Sequence, residues 1–158
     1  KTESMSALLD NTIQAVRDLA TQLRPGVLDT LGLTAAIEWQ VQDFQARTGI
    51  ECEVWLCPEP KDLPQEKATA LFRILQEILT NIIRHAQATR VVIHLLPAEG
   101  ALLLSVADNG RGITTGDLRD ANSLGLLGMR ERALMIGGEV QFEGARDRGT
   151  TVTVKVPL

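Results

Sequence analysis

The sequence predicts an α+β fold, a two-layer sandwich in which a mixed β-sheet carries helices on one face, preceded by an N-terminal helix outside that body. Three observations point there. Apolar residues recur at helical spacing in three stretches before residue 88, and strand-like apolar runs take over from Arg90. A polar, glycine-rich segment from 109 to 128 then interrupts the second half. With 158 residues, 44% apolar and 23% charged, the chain has room for one domain with a proper core and a further element.

Taken in order, residues 5 to 24 set Leu8, Leu9, Ile13, Val16, Leu19, Ala20 and Leu23 on one stripe of a helix, and Pro25-Gly26 ends it. After the link VLDTLG, a second helix is expected from about Leu33 to Arg47, with Ile37, Val41 and Phe44 inward and Gly49 as its stop. IECEVWLC reads as a strand with Ile50, Cys52, Val54 and Leu56 on one face. Pro58, Pro60 and Pro64 break the chain before a long helix, about Gln65 to Gln87. Leu71, Leu75, Ile78, Leu79, Ile82 and Ile83 form its apolar side. RVVIHLLP and ALLLSVAD are strands joined by the turn AEG, and 109–128 is a long loop. MRERALMIGG gives a short helix with a glycine stop, while EVQFEGA and TTVTVKVPL close a hairpin across ARDRG. The chain so divides into 1–24, a connector at 25–32 and a body at 33–158.

Composition narrows the function. Aromatics make up 3% with no Tyr, against binding of single-stranded nucleic acid by stacking. A net charge of −4 and a pI near 5.2 argue against a general binder of phosphate backbones, so no direct nucleic-acid binding is expected. No apolar run approaches the roughly 18–20 residues of a transmembrane helix. The opening KTESMSALLDN lacks the apolar core of a signal peptide and starts in mid-pattern, as a piece of a longer protein would. Cys52 and Cys57 read as free, buried thiols of a reducing cytoplasm rather than a metal pair.

Four segments carry chemistry. In EILTNIIRHA, residues Glu77, Asn81, Arg84 and His85 share one arc of the helix. A carboxylate and an amide one turn apart suit a hard cation such as Mg²⁺, and Arg84 or His85 can meet phosphate oxygens. In LLLSVADNGRGI a buried strand runs into Asp108, with Gly110 and Gly112 beyond it. A carboxylate at a strand end, followed by glycines that let backbone approach a ligand, suits the exocyclic amino group of adenine and disfavours guanine. In SLGLLGMRERA, Gly125 and Gly128 precede a helix whose first turn would hold Arg130, an anion site at a helix start. In GTTVTVKVP, Thr150 opens the last strand, where its hydroxyl could lie beside the base. Walker A and GxGxxG patterns are both missing. The plainer readings are a solvated helix face, an Asx-type turn, a loop with a solvated arginine and an ordinary strand start. The fixed order of the four favours a common ligand.

That order resembles the ATP-binding catalytic domain of sensor histidine kinases, in the GHKL superfamily with its Bergerat-type fold. EILTNIIRHA is similar to the N box, VADNGRGI to the DxGxG box, SLGLLGMRERA to the second glycine box and GTTVTV to the Gly-Thr strand. TQLRPGVLDTLGLTAAI is similar to the connector of the nitrate-sensor, UhpB-like and DesK-like kinases. The resemblance runs from about Leu23 to the C-terminus. It implies ATP and Mg²⁺ as cofactors, with Asn81 as the Mg²⁺ ligand and Glu77 polarising the phosphate acceptor or holding metal-bound water. Asp108 would bind the adenine amino group, and Gly110, Gly112 and Ile113 would shape the pocket wall. Arg84, His85 and the segment Gly125, Leu127, Gly128, Met129 and Arg130 would face the phosphates, with Arg132 close by; Thr150 would support the adenine edge.

The resemblance further implies a protein histidine kinase of a two-component system, phosphorylating a histidine on an upstream dimerisation helix for relay to a NarL-type response regulator. Residues 1–24 would be the tail of the second dimerisation helix, 25–32 the connector and 33–158 the ATP-binding catalytic domain. The full-length protein is then expected to be a homodimer, with this cytoplasmic domain belonging to a membrane-anchored sensor. His85 and His94 are the only histidines, and neither lies on an acceptor-type helix. Nucleotide binding without self-phosphorylation is therefore expected. The rival readings are a GHKL serine kinase of the anti-sigma type, a non-catalytic nucleotide-binding docking module, and an ATPase head of the topoisomerase or chaperone kind.

Overall fold

The computed structural model describes residues 26–120 and 123–158, together with Met5, Ala15 and residues 7–9 and 11–13 near the N-terminus. Helix α1 spans Gly26–Thr48 and strand β1 spans Glu51–Leu56. Helix α2, Gln65–Asn81, continues into a π-helical turn at Ile82–Ala86. Strands β2 (Arg90–Ala98) and β3 (Ala101–Asp108) follow, then the short helix α3 (Thr115–Arg119) and helix α4 (Leu124–Met135). Strands β4 (Glu139–Gly144) and β5 (Thr150–Pro157) close the chain.

The five strands form one sheet in the order β1-β2-β3-β5-β4. Only β1 and β2 run parallel; the other pairs are antiparallel, so the sheet is mixed as expected. Register explains the layering. Ile93 faces Val106 and Leu95 faces Leu104 across β2 and β3, while Leu104 faces Val154 and Leu102 faces Val156 across β3 and β5. Because side chains alternate along a strand, these residues share one face, and all of them are buried. Against that face pack Leu33, Ile37, Val41 and Phe44 of α1, Leu71, Phe72, Leu75 and Ile78 of α2, and Met129 and Ala133 of α4. The other face carries Arg90, His94, Ser105, Thr153 and Lys155, none of them buried. One apolar face and one wet face make a two-layer sandwich.

Three local expectations need correction. The link VLDTLG is helical, and α1 is broken only at Gly32, where φ is 88°. Left-handed backbone there lets the helix restart, and Glu59 caps the restart by accepting the N–H groups of Leu33 (3.0 Å) and Thr34 (2.7 Å). Ile83 does not join the apolar side of α2: it is 52% exposed, against 4% for Ile82. The wider π turn advances the helix by an extra residue and rotates Ile83 outward. Segment 109–128 is not a continuous loop, since it contains α3 and the first turns of α4.

Met5, Leu8, Leu9 and Ile13 are helical and exposed, with Leu8 at 68% and Ile13 at 48%. Val16, Leu19, Ala20 and Leu23 of the expected stripe lie outside the described residues.

Candidate functional site

The C-terminal end of α2 is the first wall. Asn81 is the last residue in α geometry, and the π turn then carries Arg84 and His85 before Gln87 leaves in a left-handed conformation with φ of 52°. π turns re-aim side chains without ending the helix. Here the turn leaves Arg84 and His85 exposed above buried Ile82, and they line a cavity of about 490 Å³ together with Asn81.

The second wall is the end of the sheet. Asp108, the last residue of β3, stands opposite Val91 of β2 and therefore shares the helix-facing side. Thr150 opens β5 next to it and lines the same cavity. The Asp108 carboxylate accepts the Gly110 N–H at 2.8 Å and also the backbone N–H of Thr150. Burial nevertheless holds its carboxyl above the ordinary carboxylate range, because desolvation of the charge outweighs the two donors. Close approach of backbones shapes the loop beyond. A Cβ on Gly110 would lie 2.1 Å from the Ala86 carbonyl oxygen, and one on Gly112, where φ is 81°, would lie 1.9 Å from that of Ala145. Asn109 completes the joint: its Oδ1 accepts the N–H groups of Thr89 (2.9 Å) and Arg90 (3.0 Å). The strand end is so tied to the chain leaving the π turn.

The third wall comes from α3 and the start of α4. Thr114 and Asp117 form a capping box at the start of α3. Helix α4 begins at Leu124 rather than Met129, so Gly125 and Gly128 lie within its early turns and Arg130 falls beyond the first. The expected anion site at a helix start holding Arg130 is therefore displaced. Arg130 instead sits 5.3 Å over the ring of Phe142, a cation–π contact on β4. Gly125 packs on α2, where an added Cβ would lie 2.3 Å from Glu77 Oε1 and 3.7 Å from Asn81 Nδ2.

Of the residues singled out in the sequence, Asn81, Arg84, His85, Asp108, Gly112, Ile113, Gly125, Met129 and Thr150 line this one cavity. Glu77 borders it beneath Gly125. Gly110, Leu127, Gly128, Arg130 and Arg132 do not line it. Sequence reasoning missed the apolar floor of Ile78, Ile82 and Val152, the aromatic wall of Phe142, and the polar residues Arg111, Asp117 and Asp120. Two signals were readable. TTGD at 114–117 spells a capping box, and Arg111 sits inside the glycine pair of ADNGRGI.

Among the described residues no group of three or more His, Cys, Asp or Glu side chains converges to hold a metal. Two oxygen donors, the half-buried Glu77 carboxylate and the Asn81 amide, lie one turn apart on α2. A Mg²⁺ ion commonly takes only one or two protein oxygens and fills its octahedron with water and phosphate, so this small donor set fits it. Cys52 and Cys57 are free, and burial pushes both thiols above their ordinary range.

Comparison with known proteins adds an independent line. The family model described as histidine kinase-, DNA gyrase B-, and HSP90-like ATPase matches residues 66–158. The chain is 36% identical over 154 residues to the oxygen sensor histidine kinase NreB of Staphylococcus carnosus, a match covering 98% of this chain and 43% of NreB. It is also 36% identical over 151 residues to the sensor histidine kinase MctS of Rhizobium johnstonii, covering 94% of this chain and 32% of MctS. The chain thus spans less than half the length of these curated relatives. Among solved structures, the histidine kinase domain of the blue-light activated histidine kinase EL346 of Erythrobacter litoralis superposes with a TM-score of 0.67 at 27% identity. That superposition covers 80% of this chain and 61% of the other.

Proposed function

The chain belongs to the histidine kinase-, DNA gyrase B-, and HSP90-like ATPase family, and from that premise we propose that it is the ATP- and Mg²⁺-binding catalytic domain of a two-component sensor histidine kinase. What carries the reading is one cavity that gathers Asn81, Arg84 and His85 from α2 and its π turn, Asp108 and Gly112 from the end of β3 and the loop beyond it, and Thr150 from β5. These residues come from three separated segments. Each is of the type that one part of a magnesium-bound adenine nucleotide needs.

In this reading Asp108 recognises the base. Its carboxylate is desolvated and already oriented by two backbone N–H groups, so an exocyclic amino donor completes it, whereas the guanine carbonyl offers no donor and repels it. Ile78, Ile82 and Val152 exclude water beneath the ring. Arg84 and His85, carried outward by the π turn, meet phosphate oxygens. Asn81 would hold the cation, with Glu77 beside it polarising the acceptor or holding metal-bound water, and the bound ion would neutralise phosphate charge. In phosphoryl transfer a histidine nitrogen forms the new bond to the γ-phosphorus while the bond to the ADP oxygen breaks, the electron pair leaving with ADP. Such chemistry needs positioning more than covalent help, and Glu77 would orient the incoming imidazole through its N–H.

The acceptor histidine belongs, in this proposal, to an upstream dimerisation helix, with residues 1–24 the tail of its partner helix, 25–32 the connector and 33–158 the catalytic unit. A homodimeric sensor anchored in a membrane and a NarL-type response regulator complete the scheme. None of the described helices is itself long and apolar enough to cross a membrane. Calorimetric titration with ATP and Mg²⁺, repeated with GTP and with Asp108→Asn, tests the central point. ATP should bind, while GTP to wild type and ATP to the variant should each bind about 10- to 100-fold more weakly. Equal affinity for ATP and GTP, or an unaffected variant, would remove Asp108 from base recognition.

A further inference from the structure

Arg111 is a cation that the reading above leaves without a task. It stands between Gly110 and Gly112 in the loop leaving β3 and lines the cavity beside Arg84 and His85. Its backbone is pinned on both sides: its N–H donates to the Ala86 carbonyl at 2.8 Å, and its carbonyl accepts the Asp147 N–H at 2.7 Å. The side chain is aimed as well, because Nε–H donates to the His85 carbonyl at 2.5 Å. A guanidinium carries five N–H donors. The four on Nη1 and Nη2 make no hydrogen bond among the described residues.

This arrangement is a preoriented fork with its tines unused. Much of the rotamer freedom that an arginine surrenders on capturing an anion is already gone, so its capture costs less here. The neighbouring charge comes from α3. Asp117 also lines the cavity, and its carboxylate accepts both the N–H and the hydroxyl of Thr114 at 2.8 Å. Those bonds, and then the charges of Arg111 and His85, hold its carboxyl below the ordinary range. Asp117 and Arg111 thus line the same cavity with opposite charges, and no ion pair joins them among the described residues.

We propose that Arg111 is a nucleotide ligand that binds phosphate oxygens, and that it exchanges the charge of Asp117 for that of the phosphate chain when ATP enters. The assignment rests on the nucleotide-site reading above. Phosphate is the matching chemistry because a bidentate fork gains most from two anionic oxygens, whereas ribose hydroxyls are neutral. Ligand charge should then set how much Arg111 contributes.

Calorimetry with ATP, ADP, AMP and adenosine on wild type, Arg111→Met, Arg111→Lys, Asp117→Asn and the Met/Asn double variant tests this, with a thermal melt of each variant alongside. Arg111→Met should weaken ATP about 10- to 100-fold and adenosine less than about twofold, with Lys restoring part of the loss. Asp117→Asn should tighten ATP severalfold, and that gain should vanish in the double variant. Loss of ATP and adenosine binding in equal measure would reduce Arg111 to a prop for the loop, and unchanged ATP affinity would exclude it as a ligand. Should Arg111→Met fail to fold, an Asp117→Asn variant that binds ATP no more tightly than wild type would overturn the exchange by itself. Wild type that binds adenosine but gains nothing from added phosphates sinks the inference alone; wild type that binds none of the four sinks the nucleotide reading with it.

Discussion

Asp108 stands where folding and binding want different things. Burial raises its carboxyl pKa, which means that the folded chain holds this proton to higher pH than the unfolded chain does. Between the ordinary carboxylate pKa and the raised folded value, the native state binds more protons, so stability falls as pH rises through that window. Asp108→Asn removes the buried charge while keeping an oxygen for the Gly110 N–H. The variant should therefore melt higher than wild type at pH 7, and the difference should close as pH drops below about 4. Melting curves from pH 3 to 8 measure it; a gap that widens on acidification would contradict the sign. The same substitution is expected to weaken ATP binding, a stability–activity trade-off at one residue.

The elements show how a regular pattern becomes a site. A helix of constant pitch from Gln65 to Gln87 would bring Ile83 inward. The π turn at Ile82–Ala86 breaks that phase, so Arg84 and His85 reach the cavity while Ile82 still closes the core. Periodicity alone does not reveal such a turn, because one extra residue per turn looks like ordinary scatter in a short window. Helix α1 has a comparable hidden feature. Its restart after Gly32 is capped by Glu59, from the proline-rich segment that follows β1. Removing that carboxylate should leave the N–H groups of Leu33 and Thr34 unpaired and cost about 1–2 kcal/mol. Glu59→Ala is thus expected to lower the melting temperature by about 2–8 °C while leaving ATP affinity unchanged. An unaltered melting temperature would show that solvent replaces the cap at no cost.

On the scale of the molecule, the described residues pack around one core. It runs from Leu28 of α1 to Val156 of β5 and joins the sheet's inner face to α1, α2 and α4. The cavity opens where that shared layer ends, with Ile78, Ile82, Met129 and Val152 of the core on its inner side. By contrast Met5, Leu8, Leu9 and Ile13 stand exposed and outside that core. A chain of residues 26–158 should therefore melt within about 2 °C of the full chain and bind ATP with the same affinity, on the order of less than 1 kcal/mol apart. Differential scanning calorimetry of the two chains decides the matter; a large loss of stability would give residues 1–25 a share in the core.

The mixed sheet under one helical layer and the convergence of Asn81, Asp108 and Thr150 on one cavity were legible in the amino-acid sequence. Each depends on local chemistry: hydrophobic period, glycine and proline breaks, and a carboxylate or amide at a definite offset. The capping of α1 by Glu59, the outward turn of Ile83, the start of α4 at Leu124 and the stacking of Arg130 on Phe142 were decided only by tertiary structure. So was the aim of Arg111, which depends on a carbonyl 26 positions away. The physical reason is common to all of them. They are fixed by which backbone and side-chain groups meet when two layers close, and no local periodicity encodes a partner distant along the chain.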